Sequence, residues 1–200
     1  YGDRELYKFA PETLRICRDF IRLRYRLMPY VYGSALACAE RALPMARALA
    51  VDYQDDPNVR DLADEYLFGD ALLVAPICNP EGRRRVYLPA GVWTDWWTHQ
   101  RIAGGRWIDV EAGLETIPLY LREGAIVPMG PEMNYVGEKP TEKVTLLVSL
   151  FEGRDGLTRF VVPVDDERIP VTYHASGGSH MVVIDDTHVA FEVRTLGAAP

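Results

Sequence analysis

The sequence has few cysteines, no long apolar run and too little positive charge to offset its acids. Cys17, Cys38 and Cys78 are odd in number and lack the paired spacing of a metal site. They read as reduced thiols, which suits a cytoplasmic protein, and no metal or other cofactor is expected. No stretch is long and apolar enough to span a bilayer, and no leader pattern opens the chain, so no membrane partner is expected. Lys and Arg total 22 against 29 Asp and Glu, a formal charge of −7, with no basic face to hold a nucleic acid. The run Arg83-Arg84-Arg85 sits beside a strand and reads as a solvated edge. There is no phosphate-cradling glycine loop, because the glycines at 153 and 156 join two strands rather than a strand and a helix. His99, His174, His180 and His188 have no Ser or Cys partner in a nucleophile motif. Internal repeats and low-complexity tracts are also missing.

The remaining pattern changes character once, around residues 64–77. Before that stretch the chain reads as helix and buried strand. Pro11 suits a first helical turn, with Glu12 at the positive end of the dipole. Leu14, Cys17, Phe20, Ile21, Leu27, Met28, Val31, Tyr32, Ala35 and Leu36 then recur at three- and four-residue steps. This predicts a long amphipathic helix that Pro29 kinks or splits, ending between residues 40 and 42. Residues 44–53 are mostly apolar without clean alternation, the pattern of a strand in a parallel sheet covered by helices. Asp55-Asp56-Pro57 then starts a helix over residues 58–68, with Asp56 as N-cap and Pro57 as the first helical residue. Gly69 is expected to end that helix in the left-handed conformation.

After Gly69 the apolar run from Ala71 to Ala75 reads as a buried strand, and turn signals follow at regular spacing. Strands are predicted at 85–88, 92–97, 106–110, 116–121 and 125–128. A loop-like boundary covers 130–140, and a second group of strands follows at 144–151, 157–164, 169–173, 181–184 and 189–193. Glycines at 153, 156, 177 and 178 mark hairpins, and residues 197–200 are expected to fray. Two sandwich-like β modules in tandem account for this half. One strand between two helices cannot close a core by itself, so the first part reads as the tail of a larger α/β layer. Leu49, Val51 and one helix face are therefore expected to meet water, which favours association through residues 14–36 and makes an oligomer a possible state.

Among the candidate site residues, Arg47 is the most informative, because a guanidinium inside an apolar strand must be paired. Asp64 and Asp70 are its expected partners, and all three read as structural. Asp52, Asp55, Asp56, Asp64, Asp70 and Asp95 lie near aromatic residues, as in sugar-cleaving sites, but Asp55 and Asp56 are better explained by capping and Asp70 by a turn or an ion pair. No complete nucleophile and acid pair can be assembled, so no catalytic or substrate-binding residue is named. Trp93, Trp96, Trp97 and Trp107 could stack on sugar rings, but large aromatics also fill small sandwiches. Trp96 and Trp97, being adjacent in a strand, face opposite sides. Core and interface roles are favoured.

Six stretches in order carry a resemblance to a known family. They run from Arg22-Leu23-Arg24-Tyr25-Arg26-Leu27-Met28-Pro29-Tyr30-Val31-Tyr32 through Leu43-Pro44-Met45-Ala46-Arg47 and Asp55-Asp56-Pro57 to the junction Asp64-Glu65-Tyr66-Leu67-Phe68-Gly69-Asp70-Ala71-Leu72-Leu73-Val74-Ala75-Pro76-Ile77. Then come Val86-Tyr87-Leu88-Pro89-Ala90-Gly91-Val92-Trp93-Thr94-Asp95-Trp96-Trp97 and Ile117-Pro118-Leu119-Tyr120-Leu121-Arg122-Glu123-Gly124-Ala125-Ile126-Val127-Pro128. Together they resemble the family 31 glycoside hydrolases, α-glucosidases and α-xylosidases. Ala48 stands where many α-glucosidases of that family carry a proline after the arginine, which leans toward the α-xylosidase-like branch.

The resemblance implies a multi-domain fold. The end of a (β/α)8 barrel, with its last helices and eighth strand, would occupy residues 1–69. A proximal antiparallel β-sandwich would follow at 70–136 and a distal one at 137–200. It implies retaining hydrolysis of a terminal α-glycosidic bond by two aspartates at short separation. Both come from earlier barrel strands, so this chain would brace the barrel, carry no catalytic aspartate and meet carbohydrate only through the barrel. The alternative is a carbohydrate-binding β-sandwich without catalysis, which an exposed coplanar pair of aromatics would favour.

Overall fold

In the computed structural model, which describes residues 5–197, the chain opens with two consecutive helices. The expected fraying of residues 198–200 and the start of the first expected domain at residues 1–4 lie outside that range. Helix α1 spans Pro11–Arg26 and α2 spans Met28–Glu40, so the predicted long helix splits at Leu27. Pro29 has no N–H to donate, and the ladder breaks around it. The joint is tied to the β structure by the Gly130 N–H, which donates to the Arg26 carbonyl at 2.7 Å.

The next segment departs from expectation. Only three residues form strand β1 (Ala46–Ala48), and the chain then curls into a single helical turn, α3 (Leu49–Asp52). The curl brings the Asp52 carboxylate back onto Arg47, an ion pair that an extended strand could not make at this spacing. Strand β1 pairs antiparallel with β2 (Tyr66–Phe68), with Arg47 opposite Leu67. It is therefore neither a parallel strand nor the eighth strand of a barrel. Leu49, expected to meet water, is fully buried, whereas Val51 is exposed.

Asp56 caps as anticipated, its carboxylate accepting from the Asn58 N–H at 3.0 Å with Pro57 next to it, but only a 3-10 turn follows (Pro57–Val59). Residues 66–68 are strand where helix was expected, because Tyr66, Leu67 and Phe68 find hydrogen-bonding partners on both sides. Gly69 does take a left-handed backbone, φ 64°, but as the turn of the hairpin from β2 to β3 (Leu72–Val74). A Cβ there would collide with the Tyr30 and Ser34 hydroxyls. The buried Tyr30 Oη donates to the Phe68 carbonyl at 2.5 Å and accepts from the Ala71 N–H at 3.2 Å, clamping the hairpin against α2.

Strands β4 (Arg83–Leu88), β5 (Val92–Asp95), β6 (Arg101–Ala103), β7 (Arg106–Glu111) and β8 (Leu119–Arg122) complete the first module. An antiparallel six-stranded sheet runs β1-β2-β3-β8-β5-β6, and β4 with β7 forms a separate two-stranded ribbon. Leu49, Leu67, Leu73, Val86, Leu88 and Trp93 pack together in its core.

The second module contains β9 (Ile126–Met129), β10 (Lys143–Ser149), β11 (Gly156–Val164), β12 (Glu167–Ser176), β13 (Ser179–Ile184) and β14 (Ala190–Leu196). One sheet is ordered β14-β10-β9 and the other β11-β12-β13, with Val144, Leu146, Val148, Val162, Val171 and Tyr173 in the shared core. The β10–β14 pair is parallel, the others antiparallel.

The division expected between residues 69 and 70 falls inside the β2–β3 hairpin. The one between 136 and 137 falls after β9, which already pairs with β10. The first sheet ends at Arg122 and the second begins at Ile126. Among the described residues, no helix is long and apolar enough to cross a membrane.

Candidate functional site

One group of polar residues inside the first module gathers around Arg47 in β1. The Arg47 side chain has no exposed surface. Its Nε and Nη2 donate to the two carboxylate oxygens of Asp52 at 2.9 and 3.0 Å, its Nη2 also binds Asp70, and its Nη1 donates to the Pro44 carbonyl at 3.4 Å. The bond to Asp52, reinforced by Asp70, outweighs desolvation and pushes the guanidinium above its ordinary range. Asp70 in turn accepts from Arg41 at 2.6 Å. Burial alone would raise the Asp70 carboxyl, but Arg47 and Arg41 together hold it below the usual range. Arg122 continues the chain of charges. It lies 3.7 Å from Asp52 and is bonded to the Tyr53 hydroxyl, whose ionisation is pushed upward by burial.

Thus Asp70 meets Arg47, and Asp64 does not. Asp64 lies 2.8 Å from Arg84, on the far side of the ribbon. Arg84, read as part of a solvated edge, is turned inward with 9% of its side chain exposed. It lies 2.9 Å from Glu65, a carboxylate with no exposed surface that also accepts from the Tyr87 N–H at 3.1 Å. Burial pushes Glu65 up to about 7, against the pull of Arg84 and the Tyr87 N–H. A carboxyl of that acidity would suit a general acid, but this one is sealed beneath the ribbon and committed to its two donors.

Sequence reasoning did not name Glu65, and it weighed Asp52 as an acid near aromatic residues rather than as a partner of Arg47. The inward turn of Arg84 was readable from the alternation of side chains along a strand. The cleft beside Arg47 is about 580 Å³ and is lined by Arg41, Asp52, Asp70, Arg122, Glu123 and Arg154. These acids and guanidiniums already neutralise one another, with Arg154 2.9 Å from Glu123. The arrangement holds β1, the β2–β3 hairpin and β8 in register rather than offering a free nucleophile.

The tryptophans separate into distinct environments. Trp93 is 1% exposed, with its indole N–H donating to the Pro89 carbonyl at 2.8 Å. Trp96 is half-buried, packing with the cluster around Leu27 and Leu72. Trp107 lies 5.2 Å from the Tyr87 ring, with the Arg85 guanidinium 5.1 Å above it. Trp97 is 40% exposed and meets Phe20 of α1 at a right angle, 6.4 Å between centroids. Among the described residues no two tryptophans stack in a coplanar pair. Among the described residues, no cluster of three His, Cys, Asp or Glu side chains is placed to hold a metal ion.

Comparison with known proteins gives a consistent result. Residues 42–127 match the glycosyl hydrolase family 31 C-terminal domain, and residues 1–34 match the TIM-barrel domain of the same family. An α-xylosidase of Saccharolobus solfataricus is 34% identical over 183 residues, 90% of this chain and 24% of that protein. Alpha-glucosidase 2 of Bacillus thermoamyloliquefaciens is 35% identical over 163 residues, 81% of this chain and 20% of that protein. The crystal structure of the α-xylosidase of Xanthomonas citri superposes with a TM-score of 0.82 at 31% identity, over 98% of this chain and 23% of that one. A Flavobacterium johnsoniae dextranase complexed with isomaltotriose gives 0.80 at 33% identity, over 87% of this chain and 23% of that one. The chain thus spans no more than a quarter of the length of these relatives.

Proposed function

Since the chain belongs to glycosyl hydrolase family 31, we propose that it is the bracing portion of a retaining α-glycosidase of α-xylosidase or α-glucosidase type. Its helices α1 and α2 would close a (β/α)8 barrel, and its β modules would support that barrel from below. The nucleophile and the acid would come from the barrel, and terminal α-linked sugar would be cleaved there with retention. A cytoplasmic setting fits three cysteines that remain free thiols.

The observation that carries this reading is the second apolar face of α1. Phe20 meets Trp97, Leu23 and Leu27 pack in the cluster around Leu72 and Val127, and Ile16 lies buried on the same side of the helix. At about 100° per residue, Leu14, Ile21 and Tyr25 fall on the far side of the helix, and Cys17 lies between the two faces. None of these four is fully buried, and Ile21 is 44% exposed. A helix apolar on two sides is built to sit between two layers. The β modules provide one layer, and the barrel to which residues 1–34 are similar would provide the other. The Arg47 network supports the same reading, because its carboxylates are committed to guanidiniums.

Alone, the chain is expected to be inert toward aryl α-glucosides and aryl α-xylosides, and to bind a hydrophobic dye through the uncovered face of α1. Turnover that disappears when one of its own aspartates is replaced would overturn the assignment.

A further inference from the structure

Among the clefts on the described surface, one sets a partly exposed indole beside side chains that have no hydrogen-bond partner. It is about 430 Å³ and lies between α1, the loop after β5 and the edge of the second module. Its floor is apolar, with Leu23, Met129, Leu147 and Leu196 beneath Trp96. Trp97 forms one wall. That residue is held rigidly, since its backbone N–H donates to the Asp95 carboxylate at 2.8 Å and its indole N–H to the Ile117 carbonyl at 2.7 Å. With its only side-chain donor engaged inside the protein, the exposed part of the indole offers a fixed apolar surface.

The rim is polar. Arg15 and Asp19 are paired with each other at 3.4 Å. Arg26, His99 and Glu115 line the same cleft, and among the described residues their side chains have no hydrogen-bond or ion-pair partner. This contrasts with the cleft beside Arg47, whose charges already satisfy one another.

We propose that this cleft binds a neutral saccharide, with one pyranose ring against the Trp97 indole and its hydroxyls bonded to Glu115, His99 and Arg26. A flat apolar wall beside unspent donors and acceptors matches a molecule with an apolar face and a hydroxyl-bearing edge. A wholly apolar ligand would bury those charged groups without partners, at a cost. The two arginines and two acids that line the cleft balance one another, so no net local charge selects an ionic ligand over a neutral one. The choice of a sugar over another neutral ring rests on the family reading above.

The test is titration of the 200-residue chain with isomaltotriose and with maltotriose, read by nuclear magnetic resonance at the tryptophan indole N–H signals. The Trp97 signal is identified by its loss in Trp97→Phe. A saturable shift of that signal in the millimolar range is expected. In Trp97→Ala the remaining shifts, those of the Trp96 indole in the floor first, should need about tenfold more sugar or more, while Trp97→Phe keeps part of the affinity. Glu115→Gln, which lies on an exposed loop and leaves the fold intact, should weaken binding severalfold.

A Trp97 signal that stays still, a shift reproduced by glycerol, or equal affinity in Glu115→Gln and Trp97→Phe as in the parent chain would each overturn the proposal. Glycosidase turnover by the chain would overturn the bracing role and leave this result standing. A silent Trp97 overturns the site and leaves the family assignment standing.

Discussion

Replacing Arg47 by alanine is the most demanding test of how the first module is held together. Breaking a buried ion pair by removing one partner costs about 3–5 kcal/mol, because the other charge is left without compensation. Here the losses fall unequally. The Asp70 side chain is 51% exposed and keeps Arg41 at 2.6 Å, so its share is that of a surface pair, about 0–1 kcal/mol. The Asp52 side chain is only 17% exposed and loses a two-pronged partner, retaining Arg122 at 3.7 Å. The sum therefore lies near the lower end of the range, about 3 kcal/mol, or a fall in Tm of about 6–12 °C for a chain of this size.

All four tryptophans lie in the first module, so urea unfolding followed by their fluorescence reads the affected part. Arg47→Met with Asp52→Leu should recover much of the loss, since two apolar side chains can replace a buried pair. There is also a pH arm. Because the Asp70 pKa is depressed on folding, its stabilising contribution is present above about pH 4 and is lost as pH falls through the depressed value. That acid-side loss should shrink in Arg47→Ala. A cost below about 1 kcal/mol, or a double variant no more stable than Arg47→Met alone, would refute the account of Arg47 as the buried tie of β1.

Glu65 behaves with the opposite sign. Its pKa rises on folding to about 7, so its contribution is present below the unfolded value of about 4.3 and is lost as pH rises through 7. Glu65→Gln should flatten the alkaline decline, and a difference between the two proteins that stays constant from about pH 5 to 8 would contradict the burial argument. Tyr30→Phe removes the hydroxyl shared by the Phe68 carbonyl and the Ala71 N–H, and should cost about 1–3 kcal/mol. Faster hydrogen exchange at the Ala71 amide would locate the effect, and unchanged exchange there would show that the clamp is not needed.

The helix pair was readable because a 3.6-residue period persists from Leu14 to Leu36 and Pro29 interrupts it in a physically defined way. The strands of the second module were readable because glycine turns, such as Gly177-Gly178 with φ 56° and 82°, separate alternating segments. Residues 44–68 were not, because their strands are three residues long and exist through partners distant in sequence. Tyr66–Phe68 is a strand because Ala46–Ala48 and Leu72–Val74 flank it, and local propensity does not contain that fact. A left-handed Gly69 looks the same at a helix end and in a hairpin, which is how a helix came to be expected before it. The Arg47–Asp70 contact followed from the cost of an unpaired buried charge. The pairing of Asp52 with Arg47 stayed hidden because it forms only through the curl at Leu49, and Glu65 stayed hidden because its burial depends on where β4 lies.

The parallel pairing of β10 with β14 has a consequence for the order in which the chain can assemble. The first module is complete once Arg122 has left the ribosome, since its strands join neighbours already made. Strand β10 instead waits for residues 190–196, which come after the β11-β12-β13 sheet. During that interval one edge of β10 is open, with Val144, Leu146 and Val148 beside it and no strand to cover their backbone. An uncovered apolar strand invites pairing with another chain. Slow or interrupted synthesis between residues 150 and 190 is thus the point at which this protein is most exposed to aggregation, and the completed first module gives no protection against it.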